Sequence, residues 1–226
     1  QSAQPFHDAA SGSMGIDAPG IDINSACSTF GAQMHFLSSM SGLPRYVLVV
    51  NPENTTTAID YADRSTAVLW GDGTSAAVVS IEEPARLRVR DTSIASDSAR
   101  WDAVCIPRFG HFHQDGNAVQ RFAIKTTLSC ARALKASAQE RASERGGTLR
   151  FIGHQANLLM LQSVASRLDL GDGAHWYNVN HFGNTGAAGG PCVLSQHWDE
   201  LADGDSLIMV VVGSGLTWSS LCIDVG

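Results

Sequence analysis

The chain has 226 residues, 44% of them hydrophobic and 16% charged, with 22 glycines and a formal net charge of −7. That length supports one sizeable core, and that balance excludes a disordered or fibrous chain and argues against a nucleic-acid-binding surface. The sequence shows neither an apolar run long enough to span a membrane nor a signal-peptide pattern. Its five cysteines, Cys27, Cys105, Cys130, Cys192 and Cys222, have no paired spacing, so a reducing, cytoplasmic setting away from membranes is expected.

In chain order, residues 1–20 read as loop and short helix, 21–24 as a short strand and 28–41 as a helix. Residues 46–51, Tyr-Val-Leu-Val-Val-Asn, form a continuous apolar run of the kind that makes a central strand buried on both faces. Residues 54–63 are polar and turn-rich. Residues 67–80 hold Val68, Leu69 and Trp70, a Gly-Asp-Gly turn, and Ala76 to Val79 as another buried strand. Residues 87–93 read as strand, 94–116 as irregular, and 117–145 as a long helix stopped by Gly146 and Gly147. Beyond it, strands at 149–152, 176–179, 207–212 and 217–225 alternate with helices reaching residue 168 and running from 186 to 201. This alternation predicts a layered α/β protein in a single domain.

Three junctions carry the chemistry. In Gly-Ile-Asp-Ile-Asn-Ser-Ala-Cys-Ser-Thr-Phe (residues 20–30), a strand delivers Cys27 to a helix start, where free N–H groups and the helix dipole favour thiolate. Such a thiol suits a nucleophile that takes and releases an acyl group, and it is equally a common place for a small buried residue. In Phe-Ile-Gly-His-Gln-Ala-Asn (residues 151–157), an apolar run delivers His154 to the next helix start. In Asn-Val-Asn-His-Phe-Gly-Asn-Thr-Gly-Ala-Ala-Gly-Gly (residues 178–190), Asn184 stands at a third junction. The plain alternatives are a satisfied core histidine for His154 and a helix cap for Asn184.

With these segments in view, the chain resembles the thiolase-fold condensing enzymes of the β-ketoacyl-acyl-carrier-protein synthase III type. The likeness also takes in Asp63-Arg64, the glycines at 71 and 73, and Gly213-Ser214-Gly215-Leu216-Thr217-Trp218. It implies an αβαβα layered fold of duplicated halves, here residues 1–115 with the nucleophile and 116–226 with the histidine and asparagine. The triad it implies is Cys27, His154 and Asn184, with an oxyanion held by the backbone N–H groups of Cys27 and Ser214. Arg64 matches a coenzyme A contact near the adenine; Gly116, Asn117 and Asn157 match the pantetheine tunnel. Arg121 matches a basic residue that meets phosphate or an acidic carrier protein, although Arg121 and Lys125, four apart on one helix face, read equally as a solvated stripe.

The resemblance implies an acyltransferase that acylates Cys27 from acyl-CoA and condenses the product with malonyl-acyl-carrier protein or malonyl-CoA, as in fatty-acid initiation. It implies a homodimer, no metal and no resident cofactor, coenzyme A entering as the substrate's thioester. His111 and His113 flank Phe112 without the carboxylates or cysteines of a metal site, and His181 is assigned to structure rather than catalysis. The chain departs from the family at Leu159, where carrier-dependent members carry arginine while Arg167 keeps a later basic position. It departs again at Gln120, in place of an aromatic residue, and at Gln4, roughly where a bulky residue caps the partner's acyl pocket. A starter-unit synthase of polyketide or other specialised metabolism and a heterodimer partner subunit are the alternative readings. A degradative thiolase would need a second active-site cysteine. The chain opens at Gln1 close to the nucleophile, so about one βαβαβ unit of the family's N-terminal portion is expected to be missing.

Overall fold

The computed structural model describes Gly15 and residues 18–226; the positions of Gln4 and Met14 lie outside the described residues. The first half contributes α1 (Thr29–Ser39), β1 (Val47–Glu53), a 3-10 turn at Thr55–Ala58, the short α2 (Arg64–Ala67), β2 (Gly73–Val79), β3 (Leu87–Ser96) and the two-residue strands β4 (Val104–Cys105) and β5 (His113–Gln114). The second half contributes α3 (Gly116–Glu144), β6 (Leu149–Gly153), α4 (Leu158–Leu168), β7 (His175–Trp176), α5 (Val179–Phe182), α6 (Gly189–Gln196), β8 (Ser206–Gly213) and β9 (Thr217–Val225).

One five-stranded sheet, in the order β3-β9-β8-β6-β7, organises the molecule. Its middle strand β8, Ser-Leu-Ile-Met-Val-Val-Val-Gly, is buried at every position, as a central strand covered on both faces should be. Alternate side chains divide the core. Leu207, Met209 and Val211 face Phe30 and Met34 of α1 and Val193 and Leu194 of α6. Ile208 and Val210 face Leu128 and Ala131 of α3 and Val164 of α4. The antiparallel β1–β2 ribbon lies beyond α1 and α6, joined to the first cluster through Val49, Ala77 and Val79. The described layers therefore run α3/α4, large sheet, α1/α6, ribbon, which is the layered α/β order of the thiolase-type fold.

Two strand expectations are corrected. β1 and β2 are covered on one face only: Leu48 is 46% exposed and Val78 70% exposed. Among the described residues nothing packs on that outer face, and an apolar run reads the same with one face covered or two. Residues 21–24 form no strand; an isolated bridge between Ser25 and Cys27 follows them. Smaller differences follow the turn chemistry. The last strand before Asn184 stops at Trp176, and Asn178 opens the single turn of α5. β3 runs on to Ser96 because its register with β9 extends to Thr217.

An ionic knot closes the end of the large sheet away from the three junctions. Asp224 on β9 is 2% exposed and receives Arg145 Nη1 at 2.7 Å, Arg90 Nε at 2.8 Å and Ser206 Oγ at 2.9 Å. Burial alone would raise its carboxyl pKa. The hydrogen bonds from Arg145, Ser206 and Arg90 more than reverse this and hold it well below the usual carboxylate range.

Candidate active site

The chain around Cys27 turns sharply. Ala26 has φ +47°, a left-handed conformation that is uncommon outside glycine. It is held there by the Asn24 side chain, whose Oδ1 accepts from Ala26 N–H at 2.9 Å. Beyond Cys27, the N–H groups of Ser28 and Thr29 donate to Ser25 O and Ala26 O. Two of the N–H groups at the helix start are thus already engaged. The Cys27 thiol keeps a part of its surface on the cleft, but packing desolvates its sulfur. That burial, with the negative charge of Glu53, pushes its pKa up to about 12, against a smaller opposing effect of its own backbone N–H. The resting group is a neutral thiol, which corrects the expectation of a stabilised thiolate.

The C-terminal hairpin locks this turn. Thr217 Oγ1 lies 3.1 Å from the carbonyl oxygens of both Ser25 and Ser214 and 2.9 Å from Ser28 Oγ. Ser219 Oγ donates to Ser28 O at 3.1 Å. A Cβ on Gly213 would fall 3.0 Å from Cys27 N and 3.1 Å from Ser28 N, so any side chain there would require the nucleophile turn to shift by a few tenths of an ångström. Ser214 follows on the cleft wall.

His154 leaves the end of β6 buried, and that burial depresses its pKa to about 4, so its imidazole is neutral at neutral pH. Its neighbour Gln155 is 1% exposed. Gln155 Nε2 donates to Gly153 O at 2.7 Å, and its Oε1 accepts from the N–H groups of Asn178 at 2.9 Å and Val179 at 3.2 Å. One side chain therefore ties the histidine's strand to the segment leading to Asn184.

Asn184 is held on both sides by the backbone after α2. Its N–H donates to Leu69 O at 2.7 Å and its carbonyl accepts from Gly71 N–H at 3.1 Å. Gly71 is a site of close approach, since a Cβ there would collide with the carbonyl of Phe182. The Asn184 Oδ1 accepts from Gly186 N–H at 3.0 Å.

Cys27, His154 and Asn184 line one cleft of about 550 Å³, walled also by Trp70, Phe112, Met160 and Leu216. Gly116, Asn117, Asn157 and Gln120 share that lining. Asn157 also caps α4, its Oδ1 accepting from Met160 N–H at 3.0 Å. Two residues lie apart. Arg64 opens α2, whose next residues Ser65 and Thr66 reach the cleft wall. Arg121 lines a shallow groove of about 680 Å³ together with Lys125, Arg132 and Arg167. Leu159 is exposed and His181 lies on the exposed turn of α5, outside the cleft.

Three supporting residues escaped the reading of the sequence: Gln155, Thr217 as a lock, and Glu53. Glu53 ends the inward face of β1 and accepts from Ala187 N–H at 2.7 Å. Gln155 alone had a local signal, its place beside His154.

Residues 21–98 match the family described as 3-oxoacyl-[acyl-carrier-protein (ACP)] synthase III, and residues 140–225 match its C-terminal part. The β-ketoacyl-[acyl-carrier-protein] synthase III of Campylobacter jejuni subsp. jejuni is 30% identical over 223 residues, 93% of this chain and 67% of the relative. That of Helicobacter hepaticus is 28% identical over 222 residues, 91% of this chain and 66% of the relative. The crystal structure of 3-oxoacyl-[acyl-carrier-protein] synthase III from Aquifex aeolicus superposes with a TM-score of 0.84 at 27% identity, covering 99% of this chain and 73% of that one. A priming β-ketosynthase from a polyketide biosynthetic pathway superposes at 0.80 with 26% identity, covering 98% and 70%. The chain spans about two thirds of the length of the curated relatives it matches. It belongs to the 3-oxoacyl-[acyl-carrier-protein] synthase III family.

Proposed function

We propose that this member of the family is an acyltransferase that loads an acyl group from acyl-CoA onto Cys27 and condenses it with a malonyl thioester, the initiating step of fatty-acid synthesis. The observation that carries the reading is the convergence of Cys27, His154 and Asn184 from three separate elements on one cleft.

In the first half-reaction the Cys27 sulfur attacks the thioester carbonyl, and coenzyme A leaves carrying the thiol proton. A thiol with a pKa near 12 is a poor nucleophile until that proton departs, so deprotonation accompanies attack. The oxyanion sits between the N–H groups of Cys27 and Ser214, each such donor contributing about 2.7–4 kcal/mol to a transition state of this kind. In the second half-reaction the malonyl C–C bond breaks, carbon dioxide leaves, and the electron pair becomes an enolate. His154 is neutral at the pH of the reaction and donates from a ring N–H; Asn184 donates from its NH₂. The enolate carbon then attacks the acyl-Cys27 carbonyl, the new C–C bond forms, and the cysteine sulfur leaves and is reprotonated.

The partners follow from the same reading. Asn117, Gly116 and Asn157 receive the pantetheine arm, and Arg64 the adenine end of coenzyme A. The basic groove of Arg121, Lys125, Arg132 and Arg167, one residue along α3 from Gln120 of the cleft, fits an acidic carrier protein bearing the malonyl group. A cytoplasmic homodimer completes the reading; among the described residues no helix is long and apolar enough to cross a membrane.

Intact-protein mass spectrometry with a panel of acyl-CoAs tests this. An adduct of acyl mass that vanishes in Cys27→Ala supports it, and no adduct with any acyl-CoA sinks it. A second reading, a starter synthase of specialised metabolism, draws support from the likeness to the priming ketosynthase and from polar Gln120 on the cleft wall. Condensation with malonyl-CoA alone, or with a different nucleophile, would favour it over fatty-acid initiation.

A further inference from the structure

Glu53 is a half-buried carboxylate that the chemistry above does not use. It stands at the end of β1, behind the cleft rather than in its lining. Its Oε1 accepts from Ala187 N–H at 2.7 Å across 134 residues of sequence, and its Oε2 lies 3.4 Å from Thr55 Oγ1. Its carboxyl group also occupies the space over Gly186. That glycine has φ +54°, and a Cβ on it would fall 2.5 Å from Glu53 Cδ. The turn so held, Gly186–Ala188, supplies the Gly186 N–H that binds Asn184 Oδ1. The chain of contacts is short: carboxylate to Ala187, Ala187 to its neighbour Gly186, Gly186 to the asparagine amide.

We propose that Glu53 is a positioning residue for the condensation step: by holding the Gly186–Ala188 turn it fixes the Asn184 amide with its NH₂, not its oxygen, presented to the cleft. The inference rests on the functional reading above and assigns a role to a residue outside the triad. A carboxylate in this place has a counter-effect on the other half-reaction. Its negative charge adds to the burial that disfavours the Cys27 thiolate. Glu53 therefore serves the step that uses Asn184 at some expense to the step that uses Cys27. That opposition distinguishes it from a residue that merely supports the fold.

The test separates the half-reactions in the intact chain. Acylation is read by mass spectrometry, condensation by carbon dioxide release and β-ketoacyl product, and thiol reactivity by the rate of iodoacetamide labelling of Cys27. Glu53→Ala removes the acceptor and the bulk, and is expected to lower condensation about 10²-fold, the usual cost of a misplaced catalytic group, with acylation unchanged or faster. Glu53→Met keeps the length without the acceptor and is expected to behave like Glu53→Ala if the smaller variant does not fold. Glu53→Gln keeps an acceptor for Ala187 and is expected to restore most of the condensation while, like the other two, it labels faster with iodoacetamide. Unchanged condensation in Glu53→Ala and Glu53→Met overturns the inference alone. Equal loss of acylation and condensation, or a Glu53→Gln variant as poor as Glu53→Ala, also overturns it. A wild-type chain that neither acylates nor condenses overturns the functional reading and this inference with it.

Discussion

Gly186 donates its backbone N–H to Asn184 Oδ1 at 3.0 Å, which occupies the acceptor end of that amide and leaves the donor end for the cleft. A side chain that is free to flip can present either end; this one is keyed by a neighbour two residues away. The keying makes the role of the amide testable with an almost isosteric change.

Asn184→Asp keeps the acceptor for Gly186 and replaces the NH₂ with a second oxygen. Loss of one donor to an enolate is expected to lower condensation by about 10²–10³-fold, with Cys27 acylation retained. Carbon dioxide release from a malonyl thioester, measured beside the acyl adduct mass, checks both halves. Parallel loss of both would show that the substitution disturbs the cleft rather than one donor.

The pH dependence follows from the buried histidines. Burial lowers both His154 and His175 to about 4 in the folded chain. Over the window from about 6.5 down to about 4, the unfolded chain binds protons that the folded chain does not, so stability falls with falling pH. His154 stays neutral throughout pH 5 to 8, and condensation is expected to show no inflection from it in that range. Thermal melts across pH 4–7 should give a steeper decline for the wild type than for His154→Gln.

Thr217→Val removes the hydroxyl shared by Ser25 O, Ser214 O and Ser28 Oγ and keeps the shape. Leaving buried polar groups short of a partner is expected to cost about 1–3 kcal/mol. The loss should fall at the nucleophile turn, so the acylation rate drops together with the urea midpoint. Unaltered acylation in a destabilised protein would assign the hydroxyl to the fold alone.

Asp224→Asn discharges the knot that gathers Arg90, Arg141 and Arg145. Removing one partner of a buried ionic cluster is expected to cost roughly 3 kcal/mol, near the low end for buried pairs because these arginines keep solvent contact. The depressed carboxyl pKa contributes stability that is present above pH 4 and lost as pH falls through the folded value. Urea unfolding at pH 7 and at pH 3 should therefore show a smaller difference between wild type and variant at the lower pH.

The three junctions at Cys27, His154 and Asn184 are legible in the sequence as apolar runs that give way to small residues, and it is the family resemblance carried by those segments that joins them as a triad. The long α3 and the two strands of the C-terminal hairpin were legible for a similar reason, since their periodicity and their glycine stops are local. Glu53 and the lock formed by Thr217 were not. Glu53 matters through Ala187, and Thr217 through Ser25 and Ser28, contacts that only the folded topology creates. The state of the Cys27 thiol is not legible for the same reason: a helix start is visible in sequence, whereas Glu53 and the packing around the sulfur are not. β1 shows the converse: its local apolar pattern reads as two covered faces, and one is open.

The contact between Gly213 and the Cys27 turn bears on synthesis of the chain. Ser28 and Thr217 are 189 residues apart, so the nucleophile emerges from the ribosome long before the hairpin that shapes its turn. A nascent chain carries the thiol without the geometry that makes it selective. The shaped turn, and with it selective acylation, would arrive only when translation has passed Thr217.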